Sequence, residues 1–314
     1  MTNQNEQKAC FRTSIGGQAL IEGIMMRGPE KNSIVVRKED KTLAVKTESY
    51  TPRAKKNKIW GLPVIRGFIS FCDSMAVGMK ALFYSADMAF EAIEEEKPGF
   101  LERNFGKEKA DGIYTSVSLL FGIAIPVVLF FILPTLITGL VDDYIGSGIL
   151  RNLLEGLVRI IIFLIFMFSV SRMEDIHRTF MYHGAEHKTI HCYEAGLPLT
   201  VENVRSCSKE HPRCGTSFLF VVMIISILLF SVVTWSNPFI RVALRLAMLP
   251  LVVAVSYEFN RYVGRHDNAV TRALRAPGLW MQKLTTFEPD DSMIEVAIEA
   301  LKNVIPEEEG SDRW

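Results

Sequence analysis

Charge is missing from two long stretches of this 314-residue chain. No Asp, Glu, Lys or Arg occurs in the thirty residues from Gly112 to Val141, nor in the twenty-six from Gly215 to Ile240. Both exceed the roughly 20 residues a helix needs to cross a bilayer, which argues against a fully water-soluble fold. Net charge is absent as well: 35 basic residues stand against 35 acidic ones, so no overall field draws the chain to nucleic acid. The spacing GxxxxGK[ST] does not occur, which excludes a phosphate loop, and no segment recurs at a fixed period. Residues 1–14 are polar, so no signal peptide is expected.

What remains is unevenly distributed. Leu153–Ser171 is apolar apart from Glu155 and Arg159 near one end, where long side chains can reach headgroups. Val242–Tyr257 is similar, with Arg245 near its start. Four transmembrane helices are therefore expected. The connections 142–152 and 236–241 hold one basic residue each, Arg151 and Arg241, whereas 172–214 holds six. By the positive-inside rule the 172–214 loop and both termini face the cytoplasm of a cell membrane.

The chain thus divides into an N-terminal region (1–111), a membrane region (112–257) and a C-terminal region (258–314). In the first, IGGQALIEGIMMRGP (15–29) suits a tight turn or close packing, and Ser33–Lys38 with Leu43–Thr47 reads as a β-hairpin. Glu22 and Arg27 read as a surface ion pair. Arg53, Lys55, Lys56 and Lys58 before Trp60 fit docking on anionic lipid headgroups of the bilayer, with nucleic acid not expected as a partner. Residues 63–96 form an amphipathic helix: Arg66, Asp73, Lys80, Asp87 and Glu94 make one solvated stripe, and Phe68, Phe71, Met75, Leu82 and Phe90 fall largely away from it. Glu94–Glu96 with Pro98 and Gly99 form a linker. After the last span Pro277 and Pro289 divide short helices, the last beginning at Asp291, and EEEGSDRW is a frayed tail. The fold class is mainly α: a polytopic membrane protein with a small N-terminal α+β part and cytoplasmic helical segments.

Five of six histidines (His177, His183, His187, His191, His211) and three of five cysteines (Cys192, Cys207, Cys214) lie in the polar loop 172–214. Cytoplasmic thiols stay reduced, so these cysteines read as ligands, nucleophiles or buried apolar groups. Met173–Ala195 has helical composition, closed by Gly196 and Pro198, which stacks His183, His187 and His191 on one face with Glu194 beyond. His183-Gly-Ala-Glu186-His187 is HxxEH, in which two imidazoles hold zinc and the carboxylate is general base for a water acidified by the metal. Cys207, His211 and Cys214 follow at spacings of four and three, with Arg213 beside Cys214 and available to steady an oxyanion. Glu258, emerging from the last span on the same face, is a further candidate ligand. The candidate metal ligands are therefore His183, His187, His191, His211, Cys214 and Glu258. An open set of His183 and His187 with Glu194 or Glu258 and a closed set of Cys207, His211 and Cys214 both remain. His177 and His266 read as surface residues.

On GGQALIEGIMMRG (16–28), HGAEHKTIHCYEAG (183–196), LTVENVR (199–205), HPRCGTSF (211–218) and LTTFEPDDSMIEVAIEAL (284–301), the chain resembles the YqhQ-like family of bacterial membrane proteins. That family is a domain of unknown function often labelled a predicted metal-dependent enzyme. The resemblance implies an integral membrane protein with chemistry in its histidine loop, and supplies no substrate. The expected activity is zinc-dependent hydrolysis of a peptide, amide or lipid-linked substrate at the cytoplasmic face, with Glu186 and Arg213 as catalytic residues. The alternative is a non-catalytic scaffold or assembly factor with a structural metal or none, working with a protein partner. Transport is set aside because the two longest spans hold no ionisable residue.

Overall fold

The computed structural model describes residues 11–90, 103, 106–141, 148–231, 237–266, 268–308 and 310–313. The chain forms two compact units. The first draws on residues up to Glu91, Met167–Val222 and Pro250 onward, and the second on Ala92–Phe166 and Met223–Leu249.

The first unit is built on an antiparallel sheet, β1 (Gly16–Leu20), β2 (Gly23–Arg27), β3 (Lys31–Arg37) and β4 (Leu43–Ser49), paired in chain order. The expected hairpin is β3–β4, and the glycine-rich stretch is itself a hairpin, β1–β2, with Leu20 opposite Gly23. Both faces of the central strands are covered, so alternate residues enter different cores. Ile24, Met26 and Val35 pack on the histidine helix and on the last helix, while Met25, Ile34 and Val36 pack against Ala81 and Ala89 of a long helix on the other side. A short helix α1 (Arg53–Lys56) leads to that long helix, α2 (Ile65–Ala89). Residues 91–96 of the expected amphipathic helix and the linker Glu94–Gly99 lie outside the described residues.

One expectation for α2 fails. Asp73 is buried, accepts a hydrogen bond from Tyr50 and pairs with Arg53 at 3.3 Å, so it is a packing position and not part of a solvated stripe. Lys80 and Asp87 of that stripe are exposed as expected, and Phe68, Met75, Met79 and Phe83 are exposed as well.

In the second unit α3 (Lys107–Val127), a π-helical turn (Val128–Ile132) and α4 (Leu133–Gly139) run on as one apolar rod, with Pro126 just before the π turn. Proline removes a backbone donor, and the wider turn accommodates the break. The remaining helices are α5 (Gly148–Val170), α6 (Glu174–Glu194), α7 (Val201–Ser206), α8 (Gly215–Ser231), α9 (Pro238–Arg265), α10 (Ala269–Thr285) and α11 (Asp291–Lys302). Among the described residues three helices are long and apolar enough to cross a membrane: Gly112–Gly139, Gly148–Val170 and Phe239–Arg265. The expected fourth, α8, has 17 described residues, short of that length, and residues 232–236 lie outside the description.

Charged side chains account for three further corrections. Glu155, Arg159 and Arg245 do not reach outward; they are buried against one another in the second unit, because facing helices place opposite charges in contact. Glu22 pairs with Arg178 of α6 instead of Arg27, which bonds Ser74 and lies over the Tyr50 ring. The described part of the tail is held in place: Thr13 bridges Arg313, and the buried Asp312 accepts hydrogen bonds from Thr13 Oγ1 (2.5 Å) and Tyr193 (3.1 Å).

Candidate metal centre

Helix α6 carries most of the candidate residues. Glu174 and Asp175 in its first turn suit the positive N-terminal end of the helix dipole, and Gly196, at φ +68°, supplies the left-handed residue after its end. From Tyr182 to Ile190 every residue is buried, which is unusual for a segment reading YHGAEHKTI. A buried polar run persists only where its groups find partners.

They do. His183 Nδ1 lies 2.8 Å from the Thr285 carbonyl and His187 Nδ1 lies 2.6 Å from the Lys209 carbonyl. A carbonyl only accepts, so both rings donate from Nδ1 and turn Nε2 inward, an arrangement usual for metal-binding histidines. His183 Nε2 meets Cys214 Sγ at 3.1 Å. One ligand atom each from His183, His187 and Cys214 lies within 4.8 Å of the others. Zinc bonds of about 2.0–2.3 Å set tetrahedral donors roughly 3.5 Å apart, so two imidazoles and a thiolate at this spacing fit such an ion.

Glu186 projects beside them. Its Oε1 accepts from the Gly17 amide at 2.9 Å, and a Cβ on Gly17 would stand 2.9 Å from the Glu186 Cγ and Cδ, so only glycine lets β1 approach this closely. Burial raises the Glu186 carboxyl above its usual range, partly offset by His187 and His183. Burial alone would also raise the Cys214 thiol, but His187 and His183 outweigh it and hold the thiol well below its ordinary value. His183 is displaced the opposite way: burial lowers it and the Cys214 contact overcomes that, raising it to about 9.

A second group lies along the same helix. His191, Glu194 and His211 also place one ligand atom each within 4.8 Å of the others. Here the carboxylate is already engaged: Glu194 accepts from Arg213 and from the Thr13 amide (2.7 Å), and His211 Nε2 stands 3.6 Å away. Burial would raise Glu194, yet its bonds to His211 and Arg213 lower it to about 2. Burial lowers His211 to about 4, leaving it neutral.

Three sequence-based expectations are not met. Glu258 is not brought to either group; Arg66 of α2 grips both its oxygens, at 2.6 and 2.5 Å. Cys207 is likewise elsewhere, its thiol bonded to the Asn203 carbonyl and set beside Cys192. Arg213 is turned to Glu194 and the Thr13 carbonyl instead of standing free for an oxyanion. His177, read as a surface residue, is half-buried and stacks on Phe287 with ring centres 4.1 Å apart.

Other supporting groups gave no sequence signal. Gln282, fully buried, brackets His211 by accepting from its amide and donating to its carbonyl, both at 2.8 Å. Lys188 is buried too, donating to the Arg205 and Cys207 carbonyls and pairing with Glu288. His183, Glu186, His187, His211, Arg213 and Cys214 line a cleft of about 360 Å³ that β1 borders from Gly16 to Ala19.

Comparison with known proteins agrees on one family. Residues 62–307 match the family described as "Protein of unknown function (DUF1385)". The chain is 31% identical over 294 residues to "Uncharacterized protein YqhQ" of Bacillus subtilis (strain 168), covering 92% of each. No solved structure matches. The chain, with its histidine helix inside the matched region, therefore belongs to the DUF1385 family, the YqhQ-like proteins of unknown function.

Proposed function

We propose that the protein is a metal-dependent hydrolase whose ion is held by His183, His187 and Cys214, with Glu186 as general base. The observation that carries this reading is the paired tautomer lock: two histidines, each tied at Nδ1 to a carbonyl, present Nε2 toward one thiolate. The second group is less suited to an ion, because a guanidinium already neutralises its carboxylate.

A divalent ion bound by three protein ligands supplies Lewis acidity and a water whose pKa is brought near 7. The chain supplies the rest. Glu186, with a raised affinity for protons and one oxygen fixed by Gly17, accepts a proton from the attacking water and can return it to a leaving group. Neutral His211 lines the cleft beside Arg213 and meets the His187 ring at 5.6 Å between centres. Hydrolysis of an amide or ester bond is the reaction class. Zinc is the ion whose ligand preferences match two imidazoles and a thiolate.

The site is assigned to the cytoplasmic face of a membrane, supported by the apolar helices and the basic content of 172–214. Exposed Ile59, Trp60 and Leu62 beside Lys55, Lys56 and Lys58 suit contact with anionic headgroups.

The test is elemental analysis of the purified full-length chain. About one zinc per chain in wild type and in Glu186→Gln, with loss in Cys214→Ser, supports the assignment; zinc lost in Glu186→Gln would remove Glu186 from its role as base. A second reading, thiol-based acyl transfer by Cys214, is favoured by its 3.1 Å contact with His183. Stoichiometric alkylation of Cys214 in metal-free wild type, with no zinc taken up on repletion, would move the assignment there.

A further inference from the structure

β1 is an edge strand. Among the described residues the sheet runs β1-β2-β3-β4, so no strand pairs with the outer side of β1. An open edge invites another chain to pair with it, and folds usually blunt it with charge or proline. The opposite edge, β4, is blunted in this way by Lys46 and Glu48, paired at 2.9 Å. β1 reads GGQAL and has neither. It is exposed at Gly17 and half-buried at Gly16, Gln18 and Ala19, and seven consecutive residues, Thr13 to Ala19, line the cleft of the candidate centre. A strand met face-on contributes every second residue, so an unbroken run means that the cleft meets its backbone edge.

The ladder fixes which backbone groups face outward. Leu20 and Gly23 close a two-residue turn, so they exchange both hydrogen bonds, as do Gln18 with Met25 and Gly16 with Arg27. Gly17 and Ala19 therefore turn their N–H and C=O away from β2. The Gly17 N–H agrees, donating to Glu186 Oε1 at 2.9 Å. The edge then offers the Gly17 carbonyl and both groups of Ala19, two residues, or about 7 Å, along the strand from the rung that holds Glu186.

We propose that the β1 edge docks an extended peptide, which is the substrate class of the cleft. The peptide adds to the sheet as a further strand: one of its carbonyls accepts from the Ala19 N–H, and its amides donate to the Ala19 and Gly17 carbonyls. Glu186 withholds the Gly17 N–H, so the guest carbonyl opposite Gly17 lacks a strand donor and lies beside the carboxylate. Cleavage rests on the hydrolase reading above, and docking does not. Water adds to that carbonyl carbon, the C–N bond breaks, and the proton that Glu186 took from the water goes to the leaving amine. Backbone bonds are the same whatever the side chains, so the edge selects by conformation: a folded chain, whose backbone is already paired, is not a substrate.

The test is fluorescence anisotropy of a labelled random decapeptide library on the full-length Glu186→Gln chain in detergent, beside the same library N-methylated at its backbone nitrogens. The ordinary library should bind at least about tenfold tighter than the methylated one, which cannot donate to the edge, and at least about tenfold tighter than it binds Glu186→Gln/Ala19→Pro. Proline at position 19 removes an N–H that the ladder does not use, and edge strands tolerate it. If that variant does not fold, the methylated library alone carries the test. Equal binding of the two libraries, or binding unchanged by Ala19→Pro, overturns the proposal. So does a dimer of the chain that Ala19→Pro turns into a monomer, since a second copy would then occupy the edge. Wild type separates the two readings: edge-dependent binding without cleavage removes the hydrolase and keeps the docking, whereas ester hydrolysis without peptide binding removes the docking and keeps the hydrolase.

Discussion

Gly184, in the middle of α6, gives the sharpest test of how the candidate centre is assembled. On helix propensity alone Gly184→Ala should stabilise the chain by about 1 kcal/mol, since glycine is the costlier residue in a helix interior. The surroundings reverse that sign. A Cβ there would overlap the backbone carbonyl oxygen of Phe287 and sit 3.2 Å from its carbon and 3.5 Å from Pro289 Cδ. Backbone cannot rotate aside as a side chain does, so α6 and the 286–289 segment must separate. Overpacking of this kind costs about 1–3 kcal/mol, and strain on the Phe287 amide bond to the Phe180 carbonyl (3.0 Å) adds about 1 kcal/mol. With the helix gain of about 1 kcal/mol returned, the variant should be less stable by about 1–3 kcal/mol, or roughly 2–4 °C of melting temperature per kcal/mol. Thr285, two residues earlier, holds His183, so zinc affinity should fall as well. The assay is thermal unfolding of the purified full-length protein with and without zinc, beside Gly122→Ala, whose Cβ meets nothing within 4 Å. A Gly184→Ala protein that melts at or above wild type would refute the packing of the 286–289 segment on α6.

Zinc should raise the melting temperature of wild type and not of Cys214→Ser, because an ion that binds only the folded chain stabilises it. Glu194 should make the fold acid-sensitive in a defined window. Its folded value of about 2 lies below the ordinary 4.5 of the unfolded chain, so between them the unfolded chain binds a proton that the folded chain does not. Stability is thus fully present above pH 4.5 and lost as pH falls through 2, by about 3 kcal/mol in all. Denaturant titrations at pH 5 and pH 3 should show about 2 kcal/mol of that loss in wild type and a much smaller one in Glu194→Gln; equal losses would exclude the Arg213–Glu194 pair as its source. Asp312→Ala should cost about 1–3 kcal/mol by stranding the Thr13 and Tyr193 hydroxyls. Susceptibility to limited proteolysis near residue 13 would register it, and an unchanged digest would count against the closure of that end.

Local periodicity made the histidine helix legible. His183, His187 and His191 recur every four residues, and any helix over 174–194 puts them on one face. The β3–β4 hairpin was readable from its flanking turn, whereas β1 and β2 were hidden by glycines that are there to admit other atoms, as Gly17 admits Glu186. What local pattern could not give was partner choice across long separations. Glu258 lies 192 residues from the Arg66 that claims it, and Glu194 lies 181 from the Thr13 amide. Asp73 reads as a surface position from its sevenfold spacing, and only the Tyr50 hydroxyl at the end of β4 shows why it is buried. The arginines of α5 and α9 misled for a similar reason: a single span shows its charge near an end, and the opposing span decides whether that charge faces outward or inward.

The unit that carries the candidate centre is stitched from three parts of the chain, with the apolar helices of the other unit emerging in between. His183 leans on the Thr285 carbonyl, α6 packs on α11, and Thr13 is clasped by Asp312. During synthesis His183 is therefore made about a hundred residues before Thr285, the carbonyl that orients it, and α6 before α11, on which it packs. For the proposed centre, this makes metal loading a late event, following synthesis of every described apolar helix. A chain halted just before α11 has all six histidines but lacks the helix on which α6 packs.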